Sequence, residues 1–83
     1  MFYVYLLYSD SFDEFYLGST RDLKKRFKQH QEGLNKSIRK AKDCKVVYYE
    51  AYLTEKSATQ REANLKRSGK AYHSLKQRVR ESL

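Results

Sequence analysis

Phe2-Tyr3-Val4-Tyr5-Leu6-Leu7-Tyr8-Ser9, then Asp10-Ser11-Phe12-Asp13-Glu14, then Phe15-Tyr16-Leu17-Gly18 is the stretch that decides the fold. Aromatic and β-branched residues crowd its first part, which predicts a strand over residues 2–9. Side chains alternate along a strand, so Phe2, Val4, Leu6 and Tyr8 share one face and Tyr3, Tyr5, Leu7 and Ser9 the other. Both faces are largely apolar or aromatic, which places this strand in the centre of a sheet and under cover. Residues 10–14 predict a polar turn. Residues 15–18 predict a second, short strand that pairs back as a hairpin, with Gly18 ending it and freeing the backbone for a sharp exit.

Downstream, Ser19 with Asp22 three residues later has the spacing of a capping box, opening a helix over about 20–32 that Gly33 stops. At about 100° per residue, Leu23, Phe27 and Leu34 form its apolar stripe. Arg21, Lys24, Lys25 and Lys28 lie toward the opposite face. Arg26 and His30 lie one turn apart along an edge of the stripe, within reach of what the helix covers. Residues 35–44 predict a loop carrying Lys36, Arg39, Lys40 and Lys42. Residues 45–53 predict a third strand. A Ser57-x-x-Gln60 cap predicts a helix to Arg67, and Tyr72, Leu75 and Val79 mark a last helix over about 71–82. Strands joined by a hairpin and a helix, in the order β-β-α-β-α-α, favour an α+β domain with a small mixed sheet flanked by helices.

The 83 residues suffice for one domain, 1–83, with one modest core. Eighteen Lys and Arg against ten Asp and Glu give a net charge of +8. That excess points to a polyanion, nucleic acid first, with anionic lipid or plain solubility as the other readings. The single cysteine, Cys44, excludes an internal disulfide and disfavours a cysteine-based zinc site, consistent with a reducing cytoplasm. The apolar run from Phe2 to Leu7 is too short for a membrane span or a signal peptide, so a soluble, cytoplasmic protein with no membrane partner is expected.

Glu62 is the most informative single residue. Ala58, Glu62 and Leu65 share one helical stripe, and a carboxylate facing a core is costly unless a cation or several donors meet it. One reading is a structural salt bridge, with Arg26 as a partner. The other is a metal ligand: one carboxylate suits Mg²⁺, which keeps several waters and takes further oxygens from a substrate phosphate. Arg26 reads either as a snorkelling edge residue or as a clamp on a phosphate. His30 reads either as structural or as a proton carrier. Of eight tyrosines, Tyr48, Tyr49 and Tyr52 are expected in packing or at the surface. Tyr5 and Tyr16 differ, because the helix carrying Arg26 directly follows the strands that hold them. A phenol titrates near 10, so a base role for either requires a neighbouring cation or hydrogen bond.

Tyr3-Val4-Tyr5, then Tyr16-Leu17-Gly18, then the run from Ser19 to His30, then Val46 to Glu50 and the Ala58–Lys66 helix with Glu62 resemble, in order and over nearly the whole chain, the GIY-YIG nuclease domain family. The chain looks most like the short, stand-alone bacterial branch related to the nuclease domain of the UvrC repair protein. The resemblance implies a three-stranded antiparallel sheet flanked by helices, one Mg²⁺ or Mn²⁺ ion, and hydrolysis of DNA phosphodiesters in repair, recombination or processing. By position, Tyr5 and Tyr16 match the tyrosines of the two motifs, Arg26 the catalytic arginine, Glu62 the metal-binding glutamate, and His30 a histidine that some members use in proton transfer. Tyr5 is expected to assist the attacking water and Tyr16 to position the scissile phosphate or metal-bound water. Lys24, Lys25, Lys28, Lys36, Arg39 and Lys40 are expected to hold the DNA backbone. Two departures stand out. Tyr3 and Val4 replace the first motif's Gly and Ile, and the last helix lacks the asparagine that many members place there. A non-catalytic nucleic-acid-binding module on the same fold is therefore the alternative reading. No separate targeting domain fits in 83 residues, so specificity is expected to be low, structure-directed or supplied by a protein partner, and the chain to act as a monomer or weak homodimer.

Overall fold

The computed structural model describes residues 1–31 and 44–83, with residues 29–31 by backbone only. Strand β1 (Phe2–Ser9) and strand β2 (Glu14–Thr20) form an antiparallel hairpin, followed by helix α1 (Leu23–Gln31), strand β3 (Lys45–Tyr52), helix α2 (Glu55–Arg67) and helix α3 (Gly69–Arg80). The sheet order is β2-β1-β3, with both pairings antiparallel. The sheet is thus fully antiparallel rather than mixed: β1 is central and both neighbours run against it.

Alternation along β1 sorts the core into two layers. Tyr5 and Leu7, with Cys44, pack against Tyr16, Val46, Leu23 and Phe27, so α1 covers this face. Val4 packs with Ala58, Leu65 and Leu75, so α2 and α3 cover the other. Val4 to Tyr8 are buried, as a central strand covered twice requires. Leu65 is 1% exposed; truncation to alanine at such a site costs about 3 kcal/mol. A bulge in β3 shifts the register, so that Leu6 faces Tyr48 while Leu7 faces Val46. Beyond it, Tyr48, Glu50 and Tyr52 share the α2 face.

Four boundaries differ most from the sequence expectation. Strand β2 does not end at Gly18: pairing continues through Ser19 opposite Val4 and Thr20 opposite Tyr3. Ser19 is therefore not a helix cap. Asp22 takes that role, its Oδ1 accepting from the Lys25 N–H at 3.0 Å, and α1 starts at Leu23. Helix α2 starts before Ser57, because Thr54 is its cap and accepts from the Ser57 N–H at 3.2 Å. Helix α3 starts at Gly69 because Ser68 caps it through the Ala71 N–H. Leu34, Gly33 and the loop lysines and arginine, Lys36, Arg39, Lys40 and Lys42, lie outside the described residues.

Candidate active site

Tyr5 projects from β1 toward the α1 side, and its phenol lies across the backbone of β2 at Gly18. A Cβ at Gly18 would stand 2.5 Å from the Tyr5 hydroxyl oxygen and 2.7 Å from Cζ. The glycine of the second motif thus makes room for the first motif's tyrosine. From α1, Arg26 donates through Nε to the same Tyr5 oxygen at 3.3 Å. Arg26 carries a positive charge to a half-buried position over the sheet, while Lys24, Lys25 and Lys28 of the same helix stay exposed.

Tyr16 shares this face of the sheet and packs on the Tyr5–Leu7–Cys44 cluster. Its hydroxyl donates to Glu14 Oε2 at 3.0 Å, two residues away on the same strand. His30 lies within α1 one turn past Arg26, and its side chain is outside the described residues.

Glu62 approaches from the other side. Its Oε1 accepts from the Ser19 hydroxyl at 2.6 Å, and its Oε2 meets Lys66 Nζ at 2.7 Å. Its partners are therefore Ser19 and Lys66, not Arg26, because α1 and α2 lie on opposite faces of the sheet. Burial pushes the Glu62 carboxyl up, but Lys66 and the Ser19 hydroxyl outweigh it and hold it below the usual carboxylate range. The side chain is 18% exposed.

The structure does not bring Glu62 together with Tyr5, Tyr16 and Arg26: the two groups lie on opposite faces of the sheet and share only the edge strand β2. Gly18 accommodates the Tyr5–Arg26 pair on one face, and the next residue, Ser19, holds Glu62 on the other. Beside Ser19 opens a cavity of about 270 Å³ lined also by Phe2, Thr20, Arg21, Glu55, Ala58 and Thr59, and not by Glu62. No cluster of three or more His, Cys, Asp or Glu side chains occurs among the described residues. Glu62 could offer a hard cation such as Mg²⁺, which takes few protein ligands and completes its shell with water and phosphate, one carboxylate oxygen in place of Lys66.

Ser19, Lys66 and the positional meaning of Gly18 were missed in the sequence. Extending the β2 alternation by two residues brings Ser19 onto the Leu17 face, and i, i+4 spacing pairs Lys66 with Glu62.

An antiparallel sheet ordered β2-β1-β3, with elements in the order β-β-α-β-α-α and helices on both faces, defines a GIY-YIG fold. The family model of the GIY-YIG catalytic domain matches residues 1–78, and the chain belongs to this family of nucleases. No match was found among curated proteins or among solved structures. Among the described residues, no helix is long and apolar enough to cross a membrane.

Proposed function

We propose that this protein is a divalent-metal-dependent endonuclease or nickase that hydrolyses DNA phosphodiesters in repair, recombination or processing. The observation that carries the reading is the hydrogen bond from Arg26 to the Tyr5 hydroxyl across Gly18, with Glu62 held by Ser19 one residue away on β2. Tyr5 assists the water that attacks phosphorus, as the water oxygen bonds to phosphorus and the bond to the leaving sugar oxygen breaks. Arg26 keeps the phenol oxygen oriented and is placed to stabilise charge developing on the phosphate. Glu62 would hold one Mg²⁺ or Mn²⁺ ion, which supplies charge neutralisation at the scissile phosphate when bound. Tyr16 borders the site and positions the phosphate, and His30 is assigned to proton transfer. Lys24, Lys25 and Lys28, on the exposed side of α1, bind the backbone without reading sequence, together with Lys36, Arg39 and Lys40.

A plasmid-nicking assay with Mg²⁺ or Mn²⁺, wild type beside Glu62→Ala and Arg26→Ala, tests this. Metal-dependent nicking by wild type and its loss in both variants is expected. No nicking by wild type on supercoiled, branched and single-stranded DNA would reject it. One observation favours the second reading, a non-catalytic DNA-binding module: α3 (Gly-Lys-Ala-Tyr-His-Ser-Leu-Lys-Gln-Arg-Val-Arg) contains no asparagine. That reading requires salt-sensitive DNA binding without cleavage.

A further inference from the structure

The Glu50–Arg61 pair lies on the α2 face, outside both groups. Arg61 donates from Nε to Glu50 Oε1 at 3.0 Å and from Nη2 to Oε2 at 3.1 Å. Tyr48 and Tyr52, flanking Glu50 on the same face of β3, donate their hydroxyls to the same carboxylate. Such a two-point fork fixes orientation as well as distance. Among the described residues it is the only salt bridge between α2 and the sheet.

Helix α2 seats Ala58 and Leu65 on Val4 of the central strand. Arg61 reaches from it to β3, at one edge of the sheet, and the next residue, Glu62, reaches to Ser19 of β2, at the other. Successive helical residues point about 100° apart. A helix seated over β1 therefore addresses both edges at one rotational setting only. Lys66 rides on the same helix as Glu62 and cannot define that setting; Leu65, buried with Val4, seats the helix on the central strand, and the fork adds an oriented contact at the β3 edge.

We propose that the Glu50–Arg61 fork is a positioning device for Glu62: it fixes the rotation of α2 and so sets where the Glu62 carboxylate meets a divalent cation beside Ser19. The proposal rests on the reading of Glu62 as the cation's ligand. Outer groups that orient a metal ligand typically change metal affinity about 10- to 100-fold when removed.

The test is direct Mn²⁺ binding, followed by the electron paramagnetic resonance signal of free Mn²⁺, with the full chain and a short phosphorothioate DNA that resists cleavage. Thermal unfolding is recorded in parallel. Arg61→Lys keeps the charge but loses the fork, and Glu50→Gln loses the anion. Both are expected to weaken Mn²⁺ binding about ten-fold or more, with DNA affinity in metal-free buffer within about two-fold of wild type. Asp13→Ala removes the acceptor of the Arg80 and Tyr8 hydrogen bonds that tie α3 and β1 to the β1–β2 turn, and serves as a control for loss of stability; its Mn²⁺ affinity should equal wild type. Arg61→Lys keeps the test open should Glu50→Gln not fold. Folded fork variants that bind Mn²⁺ like wild type, while Glu62→Gln does not, overturn the proposal and leave the Glu62 reading standing. Mn²⁺ binding unaffected by Glu62→Gln, or absent in wild type, overturns both.

Discussion

Gly18 stands opposite Tyr5 in the β1–β2 register, and the Tyr5 phenol occupies the space that any side chain at position 18 would take. The obstruction is a side chain rather than backbone, so Gly18→Ala should fold. The methyl group would push the phenol off the Arg26 guanidinium. Displacement of about 1 Å in a reacting geometry costs on the order of 100-fold. The nicking rate of Gly18→Ala should fall by about that factor while its circular dichroism stays that of wild type. A rate within about two-fold of wild type would show that the phenol's position is not used.

Lys66 holds Glu62 Oε2 at 2.7 Å, so on the proposed reading of Glu62 as a metal ligand it competes with the cation. The lysine is 57% exposed, so the pair is worth little, about 0.3–0.5 kcal/mol. Lys66→Met should therefore lower the half-saturating Mg²⁺ concentration for nicking by about two-fold. An increase instead would show that Lys66 supports the site, for instance by touching the phosphate.

Lys24, Lys25 and Lys28 are exposed on α1. If each contacts one phosphate, replacing all three by glutamine should reduce the slope of log K against log salt by about 2–3. Fluorescence anisotropy in metal-free buffer at several salt concentrations measures this. An unchanged slope would place the DNA on another surface.

Glu50 contributes to the acid limb of stability. Burial pushes its carboxyl up, but Arg61, Tyr48 and Tyr52 bring it down from 4.5 to about 2. A depressed carboxyl contributes stability that is full above the unfolded value and is lost as pH falls through the folded one. The window is therefore about pH 5 down to about 2, and the loss is on the order of 2–3 kcal/mol. Urea titrations at pH 7, 4 and 2.5 should show it, and Glu50→Gln should flatten the profile. Tyr48 acts at the opposite end. Burial and the Glu50 hydrogen bond raise it from 10.0 to about 12. Its protonated form is favoured by folding, so that stability is present below pH 10 and lost toward pH 12. An ultraviolet titration of Tyr48→Phe should lack one phenol that ionises near pH 12.

Much of the fold was legible because local rules agree with it. The alternation of residues 2–9 predicted a doubly covered central strand, and β1 has its two faces as read. The third strand, the stop at Arg67 and the apolar face of Tyr72, Leu75 and Val79 were legible too. Cap residues were harder, since Ser19, Asp22, Thr54 and Ser57 all have cap chemistry and only pairing decides among them. Ser19 looked like a cap until strand pairing with Val4 claimed it. Arg26 and Glu62 were recognisable as residues turned toward the sheet. The Glu50 network was not, because its donors come from Arg61, Tyr48 and Tyr52, two neighbours on one strand and a third residue on a helix.

The sequence by itself determined the elements, their faces, the basic surface and the family motifs, because periods of two and 3.6 residues are local properties of the chain. Tertiary structure alone decided which residues meet. It laid the Tyr5 phenol over Gly18 and placed α1 and α2 on opposite faces. It gave Glu62 to Ser19 and Lys66 instead of Arg26, on the face of β2 opposite the Tyr5–Arg26 pair. Those outcomes depend on strand register and helix placement, which contacts distant in sequence fix together and no local pattern encodes.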